Sequence, residues 1–319
     1  MASFEPASPD SPPPPSSMDR GAHLRQLRAL AAAAEAEAAD TEDPTYSNLD
    51  LVDPETGSLL YDSYLAHQSY YDDLKHVDHP SITYSLSASK FPGETVVIAQ
   101  DKSLGKGGLC WDAAFVLAEH LAAEIERKEV ERVKPVRVVE LGAGTGVAGI
   151  YLFRHLSLAG IPSEVTVTDL PALLPLLSGN AAAAAAASSS SLPPLSSLTA
   201  SPLAWGSDDE AFAARGESDY VIGADIVASL YSPTDLARTI WTLAGERTRV
   251  VVSFKGRESE YHDRFEEAMR EKYFERFEVV RPDAEVCRNR NPGVGIIVAG
   301  GRKRREEEEG AERGEGGEE

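Results

Sequence analysis

Cysteine is nearly absent from this chain of 319 residues, which contains only Cys110 and Cys287. The two lie far apart in the sequence, and neither stands in a cluster of Cys and His residues. A disulfide framework or a zinc site needs more of these residues at closer spacing. We therefore predict neither a disulfide nor a metal site, and we place the chain in a reducing compartment, the cytoplasm.

Long hydrophobic runs are also missing. No stretch approaches the roughly 18 to 20 consecutive apolar residues that cross a bilayer, so we expect no membrane partner. The first residues, MASFEPASPDSPPPPSS, lack the charged start and apolar centre of a secretory signal. The basic run RKRR that begins at Arg302 has the composition of a nuclear-import patch, which makes the nucleus the alternative location.

Basic residues are scarce relative to acidic ones. The chain has 31 Lys and Arg against 52 Asp and Glu, for a formal net charge of -21. An acidic globule repels nucleic acid and attracts basic surfaces. We predict a monomer with no nucleic-acid partner and with a protein partner that presents a basic, lysine-bearing surface. The alternative is that the acidity only keeps the protein soluble.

Three segments have compositions that do not support a packed core. Residues 1–45 are predicted to form a disordered, low-complexity N-terminal region, and residues 302–319 a disordered charged tail. The run AAAAAAASSSSLPPLSS at 181–197 is predicted to be a low-complexity insertion on a surface loop. Residues 46–301 are predicted to form one folded domain that carries this insertion.

Within that domain, strand-like and helix-like segments alternate. SITYSLS at 81–87 and TVVIAQD at 95–101 predict a hairpin ahead of the main sheet. Apolar strands such as VRVVEL, separated by helices, are typical of a parallel sheet covered on both faces. FEVVRP and VGIIVAG follow each other with no helix between them, too closely for a parallel crossover. We predict an α/β, Rossmann-like sheet of seven strands with an antiparallel last strand.

The stretch VRVVELGAGTGVAGIYL at 136–152 predicts a strand, a glycine loop and a helix start, which together hold nucleotide-like ligands. NAD, a nucleoside phosphate and S-adenosylmethionine all suit such a loop, and residues 144–149 match the dinucleotide pattern G-x-G-x-x-G. The carboxylate of Glu140 beside the loop favours a ligand with an ammonium and a sulfonium. Its alternative role is to accept hydrogen bonds from nearby N–H groups.

Asp169 ends the next predicted strand. An acid at this position accepts hydrogen bonds from the ribose hydroxyls of an adenosine cofactor. It would equally suit the N-cap of the following helix.

Five motifs, in order LCWDAA, VVELGAGTG, TDLPALLPLLSGN, LAWG and VIGADIV, together resemble the seven-strand methyltransferases of the family 16 type. The resemblance spans about residues 81–300. Most characterised members are protein lysine methyltransferases that use S-adenosylmethionine, so the resemblance implies that activity and cofactor. The stretch GADIVASLY is similar to a fungal and plant branch that includes lysine methyltransferases of elongation factor 1-alpha. The reversed strand and the absence of a Tyr/Lys or His constellation disfavour an NAD-dependent oxidoreductase.

The resemblance also implies roles for individual residues. Trp111 would contact the methionine part of the cofactor, Asp169 the ribose, and Trp205 the adenine, where its π surface adds to burial. The full implied cofactor set is Trp111, Glu140, Gly142, Ala143, Gly144, Gly146, Asp169, Trp205 and Ala224.

The acceptor end departs from the family pattern. Members usually show D-x-x-Y, but here Asp225 is followed by Ile226, Val227 and Ala228, and an aromatic comes only at Tyr231. The resemblance implies a catalytic role for Asp225. It implies the second catalytic role for Tyr231 in place of the aromatic missing at Ala228, because a helical turn would bring residues 228 and 231 to one face. Two alternatives stay open: a small, nicotinamide-like acceptor, or a cofactor-binding module without transfer activity.

Overall fold

A computed structural model describes residues 59–60, 78–86, 90–129, 134–188, 192–206, 218–228, 232–255, 260–282 and 294–304. The predicted N-terminal region at 1–45 lies outside these residues. The strands within them are β1 Leu59–Leu60, β2 Ser81–Ser85, β3 Thr95–Ala99, β4 Val136–Leu141, β5 Ser163–Asp169, β6 Ser197–Pro202, β7 Ser218–Ala224, β8 Ala244–Lys255, β9 Phe274–Val280 and β10 Val294–Arg302. The α-helices are α1 Asp112–Glu129, α2 Val147–Leu158, α3 Leu174–Ser188, α4 Pro233–Leu243 and α5 Glu260–Glu267.

Seven strands form the main sheet in the order β6-β5-β4-β7-β8-β10-β9. The pairs from β6 to β8 are all parallel, whereas β10 runs antiparallel to both β8 and β9. The Rossmann-like fold with a reversed last strand is therefore confirmed. In space, the reversed strand lies between β8 and β9 rather than at the edge of the sheet.

Each central strand is buried on both faces. Val138 of β4 packs into a core with α1, α2 and the hairpin, while its neighbour Val139 packs into a second core with α4 and α5. Ile296 and Ile297 of β10 divide in the same way. Successive side chains of a strand point to opposite faces, so runs such as VRVVEL and VGIIVAG supply both cores at once.

The predicted hairpin is present as β2 and β3, which pair antiparallel, and β1 adds a short parallel strand beside β2. The hairpin is anchored by Tyr84. The Tyr84 ring centre lies 4.5 Å from that of Phe115 in α1, and its hydroxyl donates a 2.8 Å hydrogen bond to Glu119. Arg154 of α2 forms a second anchor through an ion pair with Glu94.

The low-complexity run is not a surface loop over its first eight residues. Helix α3 continues from Leu174 through the alanines to Ser188, because alanine has the highest helix propensity and nothing in the run interrupts the helix. Residues 189–191 lie outside the described residues, and β6 begins at Ser197.

The first residues of the predicted tail at 302–319 contact the domain. Arg302 is the last residue of β10, and its guanidinium lies 4.0 Å from the ring centre of Trp241. The Trp241 indole donates to the carbonyl of Lys303, whose own ammonium donates to the carbonyls of Arg270 and Glu271. Half of the RKRR run is thus packed against the domain. Residues 305–319 lie outside the described residues.

Among the helices in the described part of the chain, none combines the length and the apolarity needed to cross a bilayer.

Replacing Tyr84 with alanine tests the anchoring of the hairpin. Tyr84→Ala removes a fully buried ring, so we expect the free energy of unfolding to fall by about 3–5 kcal/mol. Val97→Ala on the paired strand is the control, because Val97 is 53% exposed and its loss should cost at most about 0.5 kcal/mol. Urea unfolding of the two variants measures both values, and equal effects would contradict a core role for the hairpin.

Candidate active site

A cavity of about 630 Å³ opens at the carboxyl edge of the parallel strands. Ligands of open α/β sheets bind at this edge, where the loops leave the strands. The lining residues that the sequence predicted are Trp111, Glu140, Gly142, Ala143, Gly144, Asp169, Trp205, Ala224 and Asp225. Residues separated by more than 100 positions in the sequence therefore meet around one space.

The glycine loop between β4 and α2 forms the floor of the cavity. Gly142 and Gly144 both have a φ of 57°, a left-handed conformation that costs glycine little. A Cβ on Gly144 would also lie 2.7 Å from the carbonyl oxygen of Gly107, so no other residue fits there without displacing the backbone. Gly146 ends the turn with a φ of 87° as the N-cap of α2 and is not among the lining residues.

Asp169 holds this loop from the end of β5. One carboxylate oxygen accepts a 2.7 Å hydrogen bond from the Gly144 N–H, and the other accepts one from the Leu170 N–H. Helix α3 begins only at Leu174, so the side chain braces the loop rather than capping that helix. Burial raises the pKa of Asp169 despite these two hydrogen bonds. Each oxygen keeps further acceptor capacity toward the cavity.

Glu140 lies beneath the loop and is 1% exposed. Its carboxylate accepts a 2.8 Å hydrogen bond from the Gly149 N–H in the first turn of α2, which is the hydrogen-bonding role left open by the sequence. Burial raises the pKa of Glu140 to about 8, the Gly149 hydrogen bond opposes this rise, and the charge of Asp169 adds to it. Glu140 also borders the cavity.

A 3₁₀ helix, Lys102–Gly108, covers one side of the cavity and separates Trp111 from the preceding hairpin. Trp111 precedes α1, and its indole N–H donates a 2.9 Å hydrogen bond to the carbonyl of Lys106. Gly105, with a φ of 69°, interrupts the 3₁₀ segment, and α1 begins only at Asp112. A carbonyl of the 3₁₀ segment therefore fixes the position of the indole.

Trp205 lies beyond the end of β6, and its ring lies next to Gly142 of the glycine loop. A Cβ on Gly142 would lie 2.9 Å from the Trp205 ring and 2.9 Å from Ile226. The missing side chain therefore lets the indole and the loop approach each other. Ala224, the last residue of β7, completes this wall.

Asp225 follows β7 directly and has a φ of 52°, a conformation that Asp adopts more readily than most residues. Its N–H donates to the carbonyl of Ser253 at 2.8 Å, and its carboxylate accepts from the Lys255 N–H at 3.3 Å. Backbone of β8 thus holds the acid in place. The Lys255 ammonium forms a 2.7 Å ion pair with Asp112.

Ala228 lines the cavity where the related pattern has an aromatic. Tyr231, the proposed substitute, lies outside the described residues, so its assignment to the site stays a prediction.

Several lining residues were not predicted from the sequence. They are Leu104, Lys106, Gly107, Leu109, Ala114, Thr145, Val147, Leu170, Leu173, Leu203, Ala204, Ile226, Ala228, Ser232 and Asp235. The glycine-rich KSLGKGG segment before Trp111 was a usable signal, and so was the S-P-T-D helix start, where the Ser232 hydroxyl accepts from the Asp235 N–H. Nothing in the local sequence distinguishes the apolar lining residues from ordinary core residues.

The cavity is acidic. The acidic side chains among its described lining residues are Glu140, Asp169, Asp225 and Asp235, of which Glu140 is protonated below its pKa of about 8, against the single cation Lys106. Such a site favours a positively charged ligand. Within the described residues, no cluster of three or more His, Cys, Asp or Glu side chains is placed to hold a metal ion.

Residues 90–275 match the protein family described as Lysine methyltransferase. Mouse Protein N-lysine methyltransferase METTL21A is 33% identical over 171 residues, which cover 53% of this chain and 70% of the mouse protein. EEF1A lysine methyltransferase 3 of Xenopus tropicalis is 30% identical over 221 residues, 69% of this chain and 81% of the frog protein. The chain therefore belongs to the lysine methyltransferase family, and it is a methyltransferase.

The raised pKa of Glu140 predicts how stability changes with pH. Its ordinary value is 4.5 and its folded value about 8, so its protonation stabilises the fold fully below the lower value and the gain is lost as the pH rises to the higher one. Glu140→Gln keeps an oxygen for the Gly149 N–H but does not ionise. We expect wild type to lose unfolding free energy relative to Glu140→Gln between about pH 5 and pH 8.

Urea unfolding across this range measures the difference. Glu164→Gln, which alters a half-exposed carboxylate on β5, should instead follow wild type. A constant difference between wild type and Glu140→Gln at every pH would refute the assignment.

Proposed function

We propose that this chain transfers a methyl group from S-adenosylmethionine to a lysine side chain of a basic protein, with the cavity at the sheet edge as its active site. One observation carries the proposal. The cavity runs from Asp169 at the end of β5 to Asp225 after β7, with the glycine loop between them. Both ends are acidic, and both reactants that would meet there carry positive charge.

The residues present suit this cofactor. S-adenosylmethionine has a ribose for Asp169, an aromatic base for a flat ring such as Trp205, and a charged methionine part for the side of the cavity that holds Trp111. Gly142, Ala143 and Gly144 present backbone without bulky side chains, and Gly146 starts α2. When bound, this cofactor supplies an electrophilic methyl group on a sulfonium.

The protein's own task is to position and deprotonate the acceptor. Methyl transfer is an in-line displacement, so holding the acceptor in place supplies much of the catalysis. A lysine must first lose a proton, since its free pKa is about 10.4. Partial burial of the amine lowers that pKa, while Asp225 orients the amine and passes its proton to water. Tyr231 is proposed as the second contact at this end.

For the acceptor, we propose a translation factor such as elongation factor 1-alpha. The frog relative that shares 30% identity is described as a lysine methyltransferase of that factor, and the stretch GADIVASLY is similar to a branch with the same target. The net charge of -21 favours a basic partner. A cytosolic substrate would also agree with the expected cytoplasmic location.

Radiolabelled S-adenosylmethionine tests this function directly. Purified protein should label a protein band in a cell lysate, and mass spectrometry should locate the label on lysine. Cofactor binding without any protein labelling would favour the binding-module alternative, and labelling of a small molecule alone would favour the nicotinamide-like acceptor. No cofactor binding would overturn the proposal altogether.

Two substitutions should distinguish the contribution of Asp169 to cofactor binding from that of Asp225 to methyl transfer. Asp169→Ala removes the ribose acceptor and the brace of the glycine loop, so we expect cofactor affinity to fall by about tenfold or more. Asp225→Asn should leave cofactor affinity close to that of wild type and lower kcat/KM for the protein acceptor by about a hundredfold. Calorimetry measures the affinity, and initial rates at saturating cofactor measure transfer.

Glu164→Gln is the control for both, because it changes a carboxylate on β5 that lies outside the cavity lining. Its affinity and rate should match those of wild type. A full transfer rate in Asp225→Asn would remove that residue from the acceptor site.

A further inference from the structure

A buried asparagine connects the N-terminal hairpin to the glycine loop. Asn180 lies in α3 and is 4% exposed. Its Oδ1 accepts a 3.0 Å hydrogen bond from the Ala99 N–H, and its Nδ2 donates to the Ala99 carbonyl at 3.0 Å. The same Nδ2 donates to the Thr145 carbonyl at 2.9 Å. One side chain therefore bridges β3 and the loop beneath the cavity.

Only a primary amide satisfies these three partners. The Ala99 N–H requires an acceptor, whereas the carbonyls of Ala99 and Thr145 both require donors. A carboxylate at the same position would face two carbonyl oxygens without a proton to offer them. A hydroxyl has one proton and cannot serve both carbonyls. The orientation of the amide follows from its partners without ambiguity.

Thr145 lines the cavity next to Gly144. The loop is thus held at two consecutive residues by different parts of the chain. Asp169 of β5 binds the Gly144 N–H, and Asn180 of α3 binds the Thr145 carbonyl. The hydrogen bond to Asp169 fixes the side of the loop that faces the strands, and the hydrogen bond to Asn180 fixes the side that faces α3 and the hairpin.

The end of the hairpin also holds the segment that carries Trp111. The side-chain carbonyl of Gln100, which directly follows Ala99, accepts a 2.8 Å hydrogen bond from the Cys110 N–H. The Cys110 sulfur lies 3.4 Å from the Thr145 hydroxyl. A displacement of Ala99 would consequently reach the cavity from two directions, through Thr145 and through the residue preceding Trp111.

We propose that Asn180 is a positioning residue for the cofactor, which sets the Thr145 end of the glycine loop by tying it to β3. The inference rests on the proposed function, since it takes the cavity as the S-adenosylmethionine site. Asn180 does not line the cavity and acts only through Thr145 and Ala99. Its loss therefore changes how tightly the cofactor binds more than how fast the bound complex reacts.

Two variants test this role. Asn180→Asp replaces the donor with a second acceptor in the same volume, and Asn180→Ala removes all three hydrogen bonds without adding charge. We expect the Kd for S-adenosylhomocysteine and the KM for S-adenosylmethionine to rise about tenfold in each, while kcat at saturating cofactor stays within about twofold of wild type. Calorimetry and initial rates supply these values, with circular dichroism as the check of folding.

Glu94→Gln is the matched control. It weakens the ion pair between the hairpin and Arg154 of α2, so it loosens the same hairpin without touching Asn180, Thr145 or the cavity lining. We expect a lower melting temperature with an unchanged Kd. An equal rise of Kd in Glu94→Gln, or a wild-type Kd in both Asn180 variants, would overturn the inference.

Hydrogen exchange on the wild-type protein gives a test that does not depend on the variants folding. If the loop and β3 are coupled through Asn180, S-adenosylhomocysteine should slow amide exchange at Ala99, because coupling between two sites is reciprocal. Binding without this protection would refute the inference and leave the proposed function standing. Failure of the wild-type protein to bind the ligand would instead refute the proposed function.

Discussion

The backbone turn from Gly142 to Gly146 is the constraint on which the rest of the site depends. Its left-handed residues leave N–H and carbonyl groups that the adjoining strand and helix do not use, and buried backbone groups need partners. Asp169 binds the Gly144 N–H, and Asn180 binds the Thr145 carbonyl. The backbone of Thr168 binds the Ala143 N–H. The loop conformation is therefore stabilised by three residues from two elements of the fold, β5 and α3.

The carboxyl groups near this turn illustrate a compromise between stability and binding. Glu140 and Asp169 are both removed from water, and their pKa values rise as a result. Hydrogen bonds from Gly149 and Gly144 only partly offset the burial. Ionising such a buried carboxyl group is costly by itself, and a cation in the neighbouring space offsets that cost. The acidic lining therefore favours the binding of a positively charged ligand and does not itself stabilise the fold.

Most of the fold and most of the proposed cofactor end of the cavity could be predicted from the sequence, because local pattern encodes them. The alternation of apolar strands and helices predicts the sheet, and the motifs around Glu140, Asp169 and Trp205 place those residues at one edge of it. The helical extension over Ala181–Ser188 and the packing of Arg302 on Trp241 were not predicted. The helical extension follows from the helix propensity of alanine, which a prediction based on low complexity does not take into account. The packing of Arg302 depends on Trp241, a neighbour distant in sequence.

The proposed acceptor end of the cavity, around Asp225, is built differently from the proposed cofactor end, around the glycine loop. The cofactor end is enclosed by backbone of the glycine loop and by large rings, so its shape depends on residues that carry strong sequence signals. At the acceptor end, Asp225 is held by the backbone of β8, and Ala228 contributes only a methyl group to the wall. Because Ala228 offers so little contact beside Asp225, the surface around the cavity would have to select the acceptor. Under the proposed function, this fixed carboxylate would orient the acceptor amine, and contacts outside the cavity would select the protein that carries it.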